Sequence, residues 1–135
     1  MKLLSDLIHS STWRPLWQRL SLALMLLTCG FAFAPTVPTL DMNNGDKVQH
    51  ILAFLCVSGC SALSARAGWR QVRTSGLTML VFGVFIELVQ SFLPTRSADW
   101  RDVVADCVGI AVGLALVAVA RRMLPSRAGG KQLNR

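Results

Sequence analysis

A chain of 135 residues holds one domain at most, and 53% of it is hydrophobic, with a mean hydropathy of +0.48. That composition excludes an ordinary soluble domain and makes the bilayer the default solvent. A formal charge of +7 would suit nucleic acid in a soluble protein, but basic residues also collect on the cytoplasmic flanks of membrane helices, so their placement has to decide.

Residues 1–15 form a short N-terminal segment with an amphipathic stretch that puts His9 in water or at an interface. A spanning helix needs about 20 mostly apolar residues, since each rises about 1.5 Å through a hydrocarbon core about 30 Å thick. Four segments, residues 16–34, 48–67, 74–93 and 102–120, meet that length. Pro35 and Pro38 close the first, Gly68 with Arg66, Arg70 and Arg73 the second, Pro94 the third, and Arg121, Arg122 and Pro125 the fourth. The short loops make sequential helices antiparallel neighbours. The expected fold is therefore all-α, an integral membrane up-down bundle of four spans over residues 16–122, followed by a basic, disordered tail over 123–135 that is suited to anionic lipid.

The run Ala32-Phe33-Ala34 imitates a signal-peptide cleavage site. Roughly nineteen residues precede the apolar stretch, long for a signal's n-region, and with Pro35 directly after the run they argue instead for a retained anchor. Cys29, Cys56, Cys60 and Cys107 lie in apolar runs without CxxC spacing and read as small buried hydrophobes; only Cys56 and Cys60 share a helix face at i and i+4. Trp13, Trp17, Trp69 and Trp100 fall near the predicted interfaces, where indoles commonly anchor.

Orientation follows from the basic residues, because cationic loops are translocated reluctantly. Lys2, Arg14, Arg19, Arg66, Arg70, Arg73, Arg121, Arg122, Arg127, Lys131 and Arg135 lie at one end, against Lys47, Arg96 and Arg101 at the other. The first end is expected to be cytoplasmic, with both termini inside, in a cytoplasmic (inner) membrane. Topology then explains the charge, and no nucleic-acid partner is expected. The acids run the opposite way: Asp41, Asp46, Glu87, Asp99, Asp102 and Asp106 lie outside and only Asp6 inside. Acids contribute little to topology, so their gathering points to a site.

In the second span Asp46, Lys47 and His50 open the helix, with Asp46 and His50 on one face. The third carries Glu87 and Gln90 in its final two turns. On the fourth, Asp102, Asp106, Gly109 and Gly113 make one stripe, acidic outside and small deeper in, able to pack closely while presenting carboxylates to the interior. Pro94, Arg96, Asp99 and Arg101 form a charged cap between the last two spans. An ionisable group within a span costs on the order of 2.5 to 3.5 kcal/mol or more, so His50, Glu87 and Asp106 should face one another, not lipid.

These motifs resemble the VanZ-like membrane proteins, named for a glycopeptide (teicoplanin) resistance factor. Asp46-Lys47-x-x-His50 resembles the first family motif. Glu87-x-x-Gln90, Pro94-x-Arg96-x-x-Asp99-x-x-Asp102 and Gly109-x-x-x-Gly113 resemble the second. The match covers residues 46–113. Family members commonly have Asn where this chain has Asp106, so a hydrogen-bonding position is here a carboxyl group. The resemblance implies a role in the cell envelope, with antibiotic resistance attached to the family's name and not to this chain.

Three functions fit that arrangement. The first is an enzyme acting on a lipid or lipid-linked head group by phosphodiester or phosphoryl transfer. His50, Glu87 and Asp102 are its candidate catalytic groups, and Lys47, Gln90, Arg96 and Asp99 would bind substrate. Asp46, Asp106, Gly109 and Gly113 would form the supporting network, while Asp99, Asp102 and Asp106 could hold a hard divalent cation such as Mg²⁺. The second is a non-catalytic factor binding lipid or an envelope-assembly partner, in which His50 and Arg96 neutralise the acids as an ionic lock. The third, ranked below both, is an ion-coupled transporter: the acids sit at one end without polar stepping stones through the inner halves of the spans, although an oligomer could supply them.

Overall fold

Pro15 sits in the first turn of the first long helix, where its missing N–H would have had no helical partner. The computed structural model describes residues 2–35, 45–96 and 98–124. A short helix, α1 (Lys2–His9), and a 3-10 turn (Ser11–Trp13) lead into α2 (Arg14–Phe33), α3 (Gly45–Ser64), α4 (Trp69–Gln90) and α5 (Trp100–Met123). With the 3-10 turn counted into the first, these four long helices are apolar enough to cross a membrane. The expected all-α, four-span fold is what forms. Pro38, Asp41, Pro125 and the tail from 125 onward lie outside the described residues.

The helix limits differ from the sequence expectation for identifiable reasons. Arg70 and Arg73 do not stop a helix but lie inside α4, which starts at Trp69 instead of residue 74. Their long apolar stems can stay on a helix while the heads reach an interface. α3 starts at Gly45 and ends at Ser64, earlier at both ends than residues 48–67. Gly68, at φ 155° and ψ 153°, makes the turn into α4 in a conformation that suits only glycine. α4 ends at Gln90, ahead of Pro94. α5 starts at Trp100 because Asp99 caps it, its carboxylate accepting the Arg101 N–H at 2.9 Å, and it runs to Met123, inside the range expected for the tail.

Sequential helices are antiparallel, yet the closest pair, α3 and α5, is not sequential and runs parallel. Glycines bring these backbones together. A Cβ at Gly109 would meet the Ile51 carbonyl and Phe54, and one at Gly113 would meet Ser58 Oγ and the Leu55 carbonyl. The core beside this seam is built from Phe54, Val57, Met79, Phe82, Ile86 and Ile110, with the Phe54 and Phe82 ring centroids 5.7 Å apart. Leu22, Leu26, Leu77, Val81 and Leu116 point outward, as lipid-facing residues do.

At the arginine-rich end, Arg121 Nη2 donates to the carbonyls of Ala62 and Ala65, both at 2.9 Å, capping the end of α3. The His9 ring bonds the Leu124 carbonyl, and Trp17 Nε1 donates to the Leu7 carbonyl at 2.9 Å, so α1 is tied to this end of the bundle. His9 and Trp17 thus have polar partners within the protein. Trp69 and Trp100 remain exposed.

Candidate functional site

The first turns of α3 and α5 lie side by side at the opposite end, which brings a lysine between aspartates. Lys47 Nζ donates to Asp102 Oδ1 at 3.0 Å, Asp46 Oδ2 at 3.1 Å and Asp99 Oδ2 at 3.3 Å. Asp46 and Asp102 occupy first helical turns, where the positive end of the helix dipole favours carboxylates. Asp99 lies outside the spans. The Arg101 backbone N–H, and after it Lys47, hold its carboxyl below the usual aspartate range.

One turn deeper, His50 Nδ1 lies 2.8 Å from Asp106 Oδ1. With the carboxylate accepting, the imidazole carries its proton on Nδ1, and Nε2 is left as a base or a ligand. Asp106 is 0% exposed, and its Oδ2 has no hydrogen-bond partner. That oxygen rests against α4 at Gly83, where a Cβ would come within 2.6 Å of it. A side chain at position 83 would displace the carboxylate that orients His50. Gly83 belongs to none of the sequence motifs, and only its place on the inner face of an apolar helix hinted at it.

Glu87 reaches the same space from α4. It is 7% exposed; its Oε2 accepts the Asp99 N–H at 3.1 Å, and its Oε1 has no partner. Potential donor atoms of His50, Glu87 and Asp102 all lie within 4.8 Å of one another. The sequence suggested Asp99, Asp102 and Asp106 as the metal-holding trio. The structure turns Asp99 toward Lys47 and places Asp106 behind His50, so among the described residues it is His50, Glu87 and Asp102 that converge.

Arg96 and Gln90 lie apart from these acids. Arg96 donates to the Ala34 carbonyl from Nε at 3.1 Å and Nη2 at 2.9 Å, and to the Phe31 carbonyl at 3.0 Å; Gln90 Nε2 donates to the Ala32 carbonyl at 3.0 Å. Together they satisfy the orphan carbonyls at the end of α2, where cations are favoured. The expected lock of His50 and Arg96 on the acids is thus replaced by His50 on Asp106 and Lys47 on three aspartates. A hydrogen-bonded carboxylate and imidazole beside a second, partly unpartnered carboxylate can take up and deliver protons.

A family model described as VanZ/LLP1 matches residues 2–121. An uncharacterised protein of Schizosaccharomyces pombe is 35% identical over an alignment of 103 residues that covers 70% of this chain and 58% of that protein. The chain therefore spans little more than half the length of this relative. No solved structure matches. The matched range covers most of the chain, and the chain belongs to the VanZ family of membrane proteins.

Proposed function

We propose that this VanZ-family protein takes a lipid or lipid-linked head group at its polar end and carries out acid–base chemistry on it. The observation that carries the reading is the His50–Asp106 pair, 2.8 Å long and backed by Gly83, beside a Glu87 oxygen without a partner. Asp106 fixes the imidazole tautomer, so Nε2 can accept a proton from an attacking water or hydroxyl as its oxygen bonds to phosphorus. Protonated Glu87 can return a proton to the leaving oxygen as the old P–O bond breaks. The exposed Arg101 stands at the rim as a cation for a phosphate; Lys47 is held by three aspartates and Arg96 is committed to α2.

The Lys and Arg distribution supports an orientation with this site outside a cytoplasmic membrane and both termini inside. A second reading, a non-catalytic lipid-binding or purely structural polar lock, draws on Lys47, whose three aspartate bonds occupy it internally.

The test is the lipid profile of cells making wild-type chain, His50→Ala or Glu87→Gln at matched levels of folded membrane protein. Loss of a proton-transfer group should lower product formation about 10²- to 10⁴-fold. An unchanged profile between a deletion strain and a wild-type overproducer defeats the enzyme reading and leaves the binding one. Impermeant thiol labelling of a cysteine placed at Thr95, set against one at Ala67, checks the orientation.

A further inference from the structure

Three carboxylates are buried together at the polar end: Glu87 and Asp102, each 7% exposed, and Asp106 at 0%. The cations facing them are few. On α3, Lys47 pairs with Asp102 and His50 with Asp106. From the α4–α5 connection Arg96 turns to α2, and at the start of α5 Arg101 is exposed over Trp100. Glu87 has a backbone N–H on one oxygen and nothing on the other. Buried charge of one sign requires either protons or a cation.

From this geometry we infer that His50, Glu87 and Asp102 bind a divalent transition-metal ion of the Zn²⁺ or Mn²⁺ class. Their donor atoms lie within 4.8 Å of one another. Metal–ligand bonds of about 2.0 to 2.2 Å set donor atoms roughly 3 to 4 Å apart, so the site closes with side-chain shifts on the order of 1 Å. Imidazole with two carboxylates suits Zn²⁺, Mn²⁺ or Fe²⁺ better than Mg²⁺, which prefers oxygen alone and keeps its waters. Three protein ligands leave a coordination position open, the arrangement of metal sites that bind a water or substrate.

The surroundings are those of a metal-bound histidine. Such a histidine directs its other ring N–H to a carboxylate, which fixes its orientation, and His50 does this to Asp106. Asp106 is therefore a positioning residue, not a ligand. Asp102 can hold Lys47 through one oxygen and the ion through the other. The unpartnered, buried Glu87 oxygen is the independent sign that something besides protein completes the cluster. The ion would take His50 Nε2 and Glu87, the groups the acid–base reading uses, so with metal bound a metal-held water would stand in for the imidazole as base; metal binding itself is tested without any lipid substrate.

The experiment is Zn²⁺ binding by the full chain in detergent, followed as metal content after gel filtration and by the visible absorption of Co²⁺ put in its place. One Zn²⁺ per chain is expected. His50→Ala, Glu87→Gln and Asp102→Asn should each lose it, whereas a variant with all four cysteines changed to Ser should keep it. Asp106→Asn should weaken it about 10- to 100-fold, the usual effect of removing a carboxylate behind a ligating histidine. If the wild-type chain binds no Zn²⁺ or Mn²⁺, protons neutralise the cluster and the inference is overturned. It is equally overturned if the metal stays in all three ligand variants or leaves with the cysteines. Should a ligand variant not fold, the metal content of the wild type and of the cysteine-free chain still decides.

Discussion

The two ends of the bundle use the same guanidinium device to different effect. Arg96 closes the carbonyl end of α2 and Arg121 that of α3, so each end has a cation accounted for by helix geometry alone. Among the described residues only the polar end adds buried acids, and no helix end asks for Glu87 or Asp106 at the depth where they lie. The comparison teaches which charges are architectural and which need another explanation. The arginines cap; the carboxylates and His50 do something else.

The strongest way to break that contrast is His50→Ala, which strands Asp106 without its partner. Removing one member of a buried pair costs about 3 to 5 kcal/mol, to be read from thermal unfolding in detergent; a change below 1 kcal/mol would mean that Asp106 is already protonated and indifferent to the imidazole. Next come Arg96→Ala and Arg121→Ala. If both only cap, each should lower stability by about 1.5 to 3 kcal/mol, as for lost bonds to a charged group, and neither should alter site chemistry beyond its effect on folded yield. A specific loss of function in Arg96→Ala alone would move that residue into the site. The smallest effect belongs to Asp99, the N-cap of α5. Its pKa is lowered in the folded protein, so its contribution is fully present above the unfolded value of about 3.9 and lost as pH falls through the folded one. The melting temperature of the wild type should accordingly fall more steeply than that of Asp99→Asn below about pH 4, with the two curves parallel at neutral pH.

The spans were legible because twenty apolar residues between prolines and arginines leave a bilayer few alternatives. The Lys47, His50 and Asp106 encounter was legible in part, since i and i+4 spacings place residues on known faces. What spacing cannot give is the pairing between helices. Arg96 reads as an anion ligand because a guanidinium presents two parallel donors to an oxyanion, yet the unsatisfied carbonyls of α2 are the nearer claim on its donors. Arg121 reads as part of a helix stop because a basic pair shortly before Pro125 punctuates the end of a span; its carbonyl partners, at Ala62 and Ala65, lie more than fifty residues away in sequence. Gly83 left only the hint of its place on an inner helix face, because its role is an absence of atoms, visible only against the carboxylate of another helix.

That missing side chain has an evolutionary consequence. Position 83 on α4 and position 106 on α5 share a single volume, so neither can change freely while the other stands still. Enlarging the first should be survivable only in a lineage that has already shortened the second, which makes the two sites a coupled pair whose history must be read jointly.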